Sequence, residues 1–521
     1  MSSRPARTPL AALVPILLVT AIYLVPVGGK DILMNPNELV RIQLTEAMLL
    51  DHSVSLDTLL EAYGESQDQS VREGRVYSDK APGVSFLALP VAWAAGPLLP
   101  RQEGMIYPAY WLLRHVLVVA VSAIPAVVLM FILTGVAGGS LAPSQRAWLA
   151  ALLCLATPML TYATTLFSHA PAAVLVGGAW LLAAIGVPST MRSGLAGLLS
   201  GLAVTTEYPT LLLGVVLFGV VVLRRPIPWR SGAVFVVGLA AGILPMLVYH
   251  AAAFGSPLTT GYTFKVDPWH AEIIASGASG VAMPTWERLY GVMFSPRRGL
   301  LAYSPVLLLA LSGLAARFRR APREALAVTT ACAVYLAFGA SFVDWPGGWC
   351  AAARHLLPIV PLLCLGIVWG TDAFGQRAWF AFALAVLAGV SVCHQLLSVA
   401  LTPLFPQIYE APLAQVAVRS LFDGAAMPNL VSQMTGSDAR MVFLAWAASG
   451  LLVMVIALRR VVPAIGPVRW AAVVGLAAAL GAAGLQVGLS TRITSEQEHV
   501  RAVLLDRLGY HELARDVDAR R

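Results

Sequence analysis

Apolar runs of membrane-spanning length, cut by short clusters of arginine, constrain this 521-residue chain more than any motif does. A bilayer core takes about 20 apolar residues per helix. Runs that meet or approach this length fall at residues 10 to 29, 106 to 134, 147 to 162, 169 to 187, 194 to 206 with 209 to 223, 231 to 253, 299 to 316, 324 to 343, 355 to 371, 379 to 401, 441 to 458 and 466 to 489. Taking 194 to 223 as two half-length helices gives about 13 spans. With 58% hydrophobic and 12% charged residues, too little polar surface exists to cover a soluble globule of this size. The expected fold class is an all-α polytopic membrane protein.

Charge orients the spans. Arg224, Arg225 and Arg230 form one cluster, Arg317, Arg319, Arg320 and Arg323 a second, and Arg459, Arg460 and Arg469 a third. The positive-inside rule puts all three in the cytoplasm, with Arg4, Arg7, Arg146, Arg192 and the N-terminus on the same side of a plasma (inner) membrane. The formal charge of +8 is thereby explained without nucleic acid. The assignment requires that residues 81 to 99, bracketed by Pro82, Gly83, Pro90, Gly96, Pro97 and Pro100, lie on or dip into the membrane without crossing it. The outer side then holds residues 30 to 105, 163 to 168, 254 to 298, 344 to 354, 402 to 440 and the polar tail from 490. Three regions follow: a first transmembrane module (1 to 253) with the outer loop 30 to 105, a second transmembrane module (254 to 489) and an amphipathic tail (490 to 521), expected to be solvated. Residues 10 to 29 read as a retained helix, because Lys30 and Asp31 stand where a signal-peptide cleavage site would lie. The five cysteines, Cys154, Cys332, Cys350, Cys364 and Cys393, lack paired spacing and read as small core residues.

The first outer loop carries the densest chemistry. Asn35 and Pro36 start a helix in which Glu38, Arg41 and Thr45 share a face, opposite the apolar stripe Val40, Leu44, Ala47 and Met48. Asn35-x-x-Glu38 also fits a capping box, so Glu38 has a structural reading as well as a chemical one. Lys80, one of three lysines in the chain, sits in YSDKAPG (77 to 83). Further on, Ser168 and His169 occupy a short outer loop, and Glu207 stands where two half-helices meet; a carboxylate there must face protein or water. Arg297 and Arg298 in SPRRGLLAYSP (295 to 305), and Arg354 and His355 in WPGGWCAAARHLLP (345 to 358), are cations at outer span ends. Arginine's planar fork suits phosphate oxygens. Asp267, His270 and Glu272 in DPWHAE are potential metal donors, but three donors in a solvated loop are ordinary surface chemistry, so no metal or other cofactor is assigned.

Together, NPNELVR (35 to 41) and YSDKAPG (77 to 83) resemble the lipid-linked-sugar-dependent membrane glycosyltransferases of the GT-C superfamily, in the group of the lipid A aminoarabinose transferase and the protein O-mannosyltransferases (glycosyltransferase family 39-like). That family follows its first helix with an acidic pair, then an arginine, and later a Glu-Lys-Pro-Pro-like string. Here Asn37 replaces the first acid and the arginine comes one residue later. The resemblance implies a GT-C fold with juxtamembrane helices on the outer face and transfer of a sugar from a polyprenyl phosphate or diphosphate to a glycan, lipid or protein acceptor. It implies Glu38, or Asp31, as base and Lys80, Arg41, Arg354, Arg297 and Arg298 as donor-phosphate ligands. Asn37, Tyr77, Asp79, His169, Glu207 and His355 complete the candidate site. The alternative is a lipid-linked-sugar flippase or other polytopic transporter, which shares intramembrane charges and a broken helix.

Overall fold

The computed structural model describes residues 10–27, 35–101, 103–185, 189–223, 228–277, 280–463, 466–489 and 493–519. Lys30 and Asp31 lie outside the described residues, as do Arg4, Arg7, Arg224 and Arg225. The chain is almost wholly helical, with one two-stranded hairpin, Gln69–Arg72 and Arg75–Ser78, whose register pairs Gln69 with Ser78 and Ser70 with Tyr77. Among the described residues, five helices are long and apolar enough to cross a membrane: Tyr110–Ala137, Trp229–Phe254, Arg354–Phe374, Ala378–Ser398 and Ala439–Val461.

Other expected spans are interrupted where proline removes a backbone donor. The run from 147 to 162 breaks at Thr157 and Pro158 between helices Pro143–Ala156 and Met159–Ala163. The run from 299 to 316 divides around Pro305 into Leu300–Tyr303, a tight turn and Ala310–Arg320. Glu207, in extended conformation at φ −150° and ψ 103°, separates Thr190–Thr206 from Leu211–Leu223, as the sequence predicts. The short stretch after Lys80 is a 13-residue helix, Gly83–Ala95. At 1.5 Å per residue it reaches about 20 Å, short of a hydrocarbon core of about 30 Å.

Helices Thr190–Thr206 and Pro228–Phe254 pack backbone to backbone through small residues. A Cβ on Gly197 would stand 2.0 Å from the Phe235 carbonyl oxygen, and one on Gly238 would stand 2.2 Å from that of Gly194. Without hydrophobic drive inside lipid, such close approach supplies the packing energy. The first helix, Leu10–Leu24, docks into the bundle: the Tyr23 hydroxyl donates to the Cys154 carbonyl at 2.8 Å, and the Trp446 indole donates to that of Ile22 at 2.8 Å. The cysteines are free thiols, four of them buried.

A second apolar core, distinct from that of the bundle, lies under the loop-rich end. It joins Leu39, Val40 and Leu44 to Val84, Leu113, Tyr249 and Phe254. Helix Pro36–Leu50 runs through it and is buried from Glu38 to Ala47. The polar face of Glu38, Arg41 and Thr45 is therefore buried along with the apolar stripe opposite it. The expectation of a solvated tail is corrected: helix Ser495–Arg507 docks on the segment after residue 402, with Leu504, Leu505 and Arg501 buried, and Arg501 paired to Asp423 at 2.6 Å and Glu498 at 2.9 Å.

Burial of helix Pro36–Leu50 has a titratable consequence. Glu46 is 1% exposed and neither carboxylate oxygen has a hydrogen-bond partner. Burial pushes its pKa up to about 7; Arg101 pulls the other way and Asp51 adds to the rise. Between an unfolded value of about 4.3 and the folded value of about 7, the native chain holds a proton that the unfolded chain has lost. Stability therefore falls as pH rises through that window, by about 4 kcal/mol in all. Glu46→Gln is expected to remove this slope. Unfolding followed at pH 5 and pH 8 in detergent checks it; an unchanged slope in the variant would refute the assignment.

Candidate functional site

Segments that the sequence places on one side meet at one end of the bundle. The Leu166 N–H reaches Glu38, Lys265 reaches Asp68, Arg298 reaches Phe405, and the Gln407 amide donates to Asp344 at 3.1 Å. Between them lies a cavity of about 670 Å³, lined among others by Asn37, Asp68, Lys80, Phe167, Arg354 and Gln407. Its volume falls in the range of small-molecule sites, about 300–1,000 Å³.

Lys80 belongs to a four-charge cluster. Its ammonium is 3.0 Å from Asp68 and 3.2 Å from Asp79, and Lys265 lies 3.2 Å and 2.5 Å from the same two carboxylates. Burial pushes the Lys80 pKa down, but Asp68 and Asp79 outweigh it and hold it above its ordinary value. Burial likewise raises Asp68, and Lys80 and Lys265 more than reverse this. The hairpin builds the cluster: the Ser70 hydroxyl donates to the Gly261 carbonyl at 2.6 Å, so the turn carrying Lys265 is fixed to the strand next to Asp68. Tyr77 packs edge-on against Phe254, 8% exposed, as part of the core beneath.

Arg41 and Arg354 differ from the lysines in lacking a carboxylate partner among the described residues. Arg41, 2% exposed, spends one donor on the Asn37 carbonyl at 3.1 Å, and its Nε has no partner. Burial pulls its pKa down, while Glu207, Tyr262, Asp68 and Asp79 act upward. Arg354 lies over the Phe167 ring at 5.4 Å, its Nε also unpartnered, and it faces the cavity. Arg298 is fully buried and donates to the carbonyls of Phe405 at 2.7 Å, Pro406 at 3.3 Å and Arg297 at 2.8 Å. Arg297 donates to the Gln407 carbonyl and stands 3.9 Å from Glu410. This pair therefore staples the 402–410 segment, and neither lines the cavity.

Glu38 neither closes a capping box nor faces the cavity. Asn35 caps the helix through the Asn37 N–H at 3.1 Å. The Glu38 carboxylate instead takes a two-pronged bond from Arg114, at 2.7 and 2.9 Å, and the Leu166 N–H at 2.7 Å. The void beside it is about 10 Å³, room for one water at most.

His169, Glu207 and His355, far apart in sequence, come together. The Ser168 hydroxyl donates to Glu207, and His169 Nδ1 stands 3.3 Å from the same carboxylate oxygen. The His169 and His355 rings meet edge to face, centroids 5.2 Å apart. Asp267 lines the cavity, Glu272 is exposed, and the His270 side chain lies outside the described residues.

Sequence reasoning missed Lys265, Asp68 and Arg114. The rarity of lysine, used for Lys80, applies equally to Lys265, and an arginine within the 106 to 134 run marks Arg114. Asp68 gives no such signal, because its partners arrive only through the hairpin.

Comparison with known proteins gives the fold. No family model matches the chain, and no curated protein does. Among solved structures, ArnT from Cupriavidus metallidurans bound to undecaprenyl phosphate superposes with a TM-score of 0.52 at 15% identity, covering 90% of this chain and 76% of that one; the apo state of the same protein gives 0.47 over the same shares. The chain has the GT-C fold of ArnT, which the sequence resemblance implied.

Proposed function

We propose that the chain is a membrane glycosyltransferase that moves a sugar from a polyprenyl phosphate or diphosphate carrier to a glycan, lipid or protein acceptor at the extracytoplasmic face. The observation that carries this reading is Arg354: a cation without a carboxylate partner among the described residues, opening onto the same 670 Å³ cavity as Lys80. The fold of ArnT, a protein crystallised with undecaprenyl phosphate, supports it. Lys80 and Lys265 are balanced by Asp68 and Asp79, so a cation of the cavity wall left to meet an anionic donor is Arg354, while Arg41 is buried and does not line the cavity.

In this reading the acceptor hydroxyl oxygen attacks the anomeric carbon, the bond from that carbon to the phosphate oxygen breaks, and the electron pair leaves with the phosphate. Lys80 and Arg354 stabilise the charge that develops there. Glu38 acts by position, fixing the 164–168 turn against the first loop, since both its oxygens are occupied. With both Glu38 oxygens occupied, the other base that the resemblance implies is Asp31, which lies outside the described residues. Purified protein given radiolabelled polyprenyl-phosphate sugar and envelope extract is expected to release label from the lipid into acceptor or water. Recovery of intact donor in the opposite leaflet, without cleavage, would establish a flippase and overturn the reading.

A further inference from the structure

We infer that His169, Glu207 and His355 form a binding site for one divalent transition-metal ion of the zinc type. Two imidazoles and one carboxylate are a donor set such ions take, leaving a coordination position open. The candidate ligand atoms all lie within 4.8 Å of one another. His169 Nδ1 and Glu207 Oε2 are 3.3 Å apart, and the edge of a tetrahedron with metal bonds of about 2.0–2.1 Å is about 3.3 Å.

A second, independent observation points the same way. His169 is 4% exposed, yet its Nδ1 has no partner with hydrogen-bond geometry, although the carboxylate is near. Nδ1 is held toward the Glu207 carboxylate, the placement in which both groups could ligate one ion. The surroundings supply outer support of the kind metal ligands use. The Ser168 hydroxyl holds Glu207, the His355 ring stacks on Phe342 with centroids 5.1 Å apart, and the rings of Tyr162 and Phe167 both meet His169 edge to face. A dication with one carboxylate carries a net positive charge, placed beside Arg354 at the anion-binding end of the bundle.

The inference stands apart from the transfer reading, because metal uptake is measured without donor or acceptor. Full-length protein in detergent, stripped with chelator and titrated with zinc, is expected to take up one ion per chain, and cobalt(II) in its place to show the visible absorption of a four- or five-coordinate site. Glu207→Gln and His355→Gln are each expected to weaken uptake at least 10-fold, while His499→Ala, in an exposed pair with Asp518, leaves it unchanged. Size-exclusion profiles matching wild type identify the variants that fold; where one does not, the other carries the test. No uptake by wild type, or undiminished uptake by a folded Glu207→Gln or His355→Gln variant, overturns the proposal.

Discussion

Arg354→Ala is expected to weaken binding of a polyprenyl-phosphate sugar by about 10- to 100-fold, since a charged hydrogen bond contributes about 1.5 to 3 kcal/mol. The effect should exceed that of Lys80→Ala. Removing Lys80 leaves Lys265 within 3.2 Å of both Asp68 and Asp79, so part of the local balance survives. Arg354 has no such paired neighbour on its own segment, and the other cations of the cavity wall are Lys80 and Arg507. Lys80→Ala should therefore cost about 10-fold, with partial recovery in Lys80→Arg, because a fork replaces a point charge. Donor affinity measured for the four proteins in one detergent decides the matter. Wild-type affinity in Arg354→Ala would remove it from the site. Arg298→Ala, in contrast, should lower thermal stability, because its two terminal nitrogens hold the backbone carbonyls of Arg297, Phe405 and Pro406.

The second large effect is expected at Glu38. Arg114 is 4% exposed and Glu38 1%, and breaking a buried pair from one side costs about 3 to 5 kcal/mol. Glu38→Gln keeps the shape of the side chain but leaves the guanidinium without its charge partner, so it is expected to destabilise the protein by about 3 kcal/mol. Replacing Glu38 and Arg114 together by methionine should recover much of that loss. If Glu38 were the catalytic base, the glutamine variant would instead keep its stability and lose turnover by on the order of 100-fold. Parallel melting and transfer measurements separate the two outcomes.

How much of this was legible in the sequence depends on the range of the interaction. The helix break at Glu207 was, because Pro209 and a carboxylate within an apolar run act locally. The gathering of the loops at one end was too, because arginine clusters fix parity along the whole chain. The role of Glu38 was not: capping is a contact over three residues, and the spacing fits it, whereas the observed partner is 76 residues away. Arg297 and Arg298 read as phosphate ligands because arginine donors satisfied by carbonyls 107 to 110 residues distant look the same in sequence as free ones. Lys80 and Asp79 were placed beside each other by adjacency alone. Their two further partners, Asp68 and Lys265, needed the hairpin and the turn at Gly261 to be known.

The cavity walls also set a schedule for biosynthesis. Asn37, Lys80, Arg354, Gln407 and Arg507 all border it, and Arg507 belongs to a tail helix anchored by buried Arg501. Since chains are made from the N-terminus and segments pack as they emerge, the wall that holds Lys80 is inserted long before the wall that completes the enclosure. The Arg507 wall is therefore in place only after helix Ser495–Arg507 has left the ribosome and docked, and a chain stopped ahead of Ser495 is expected to lack it.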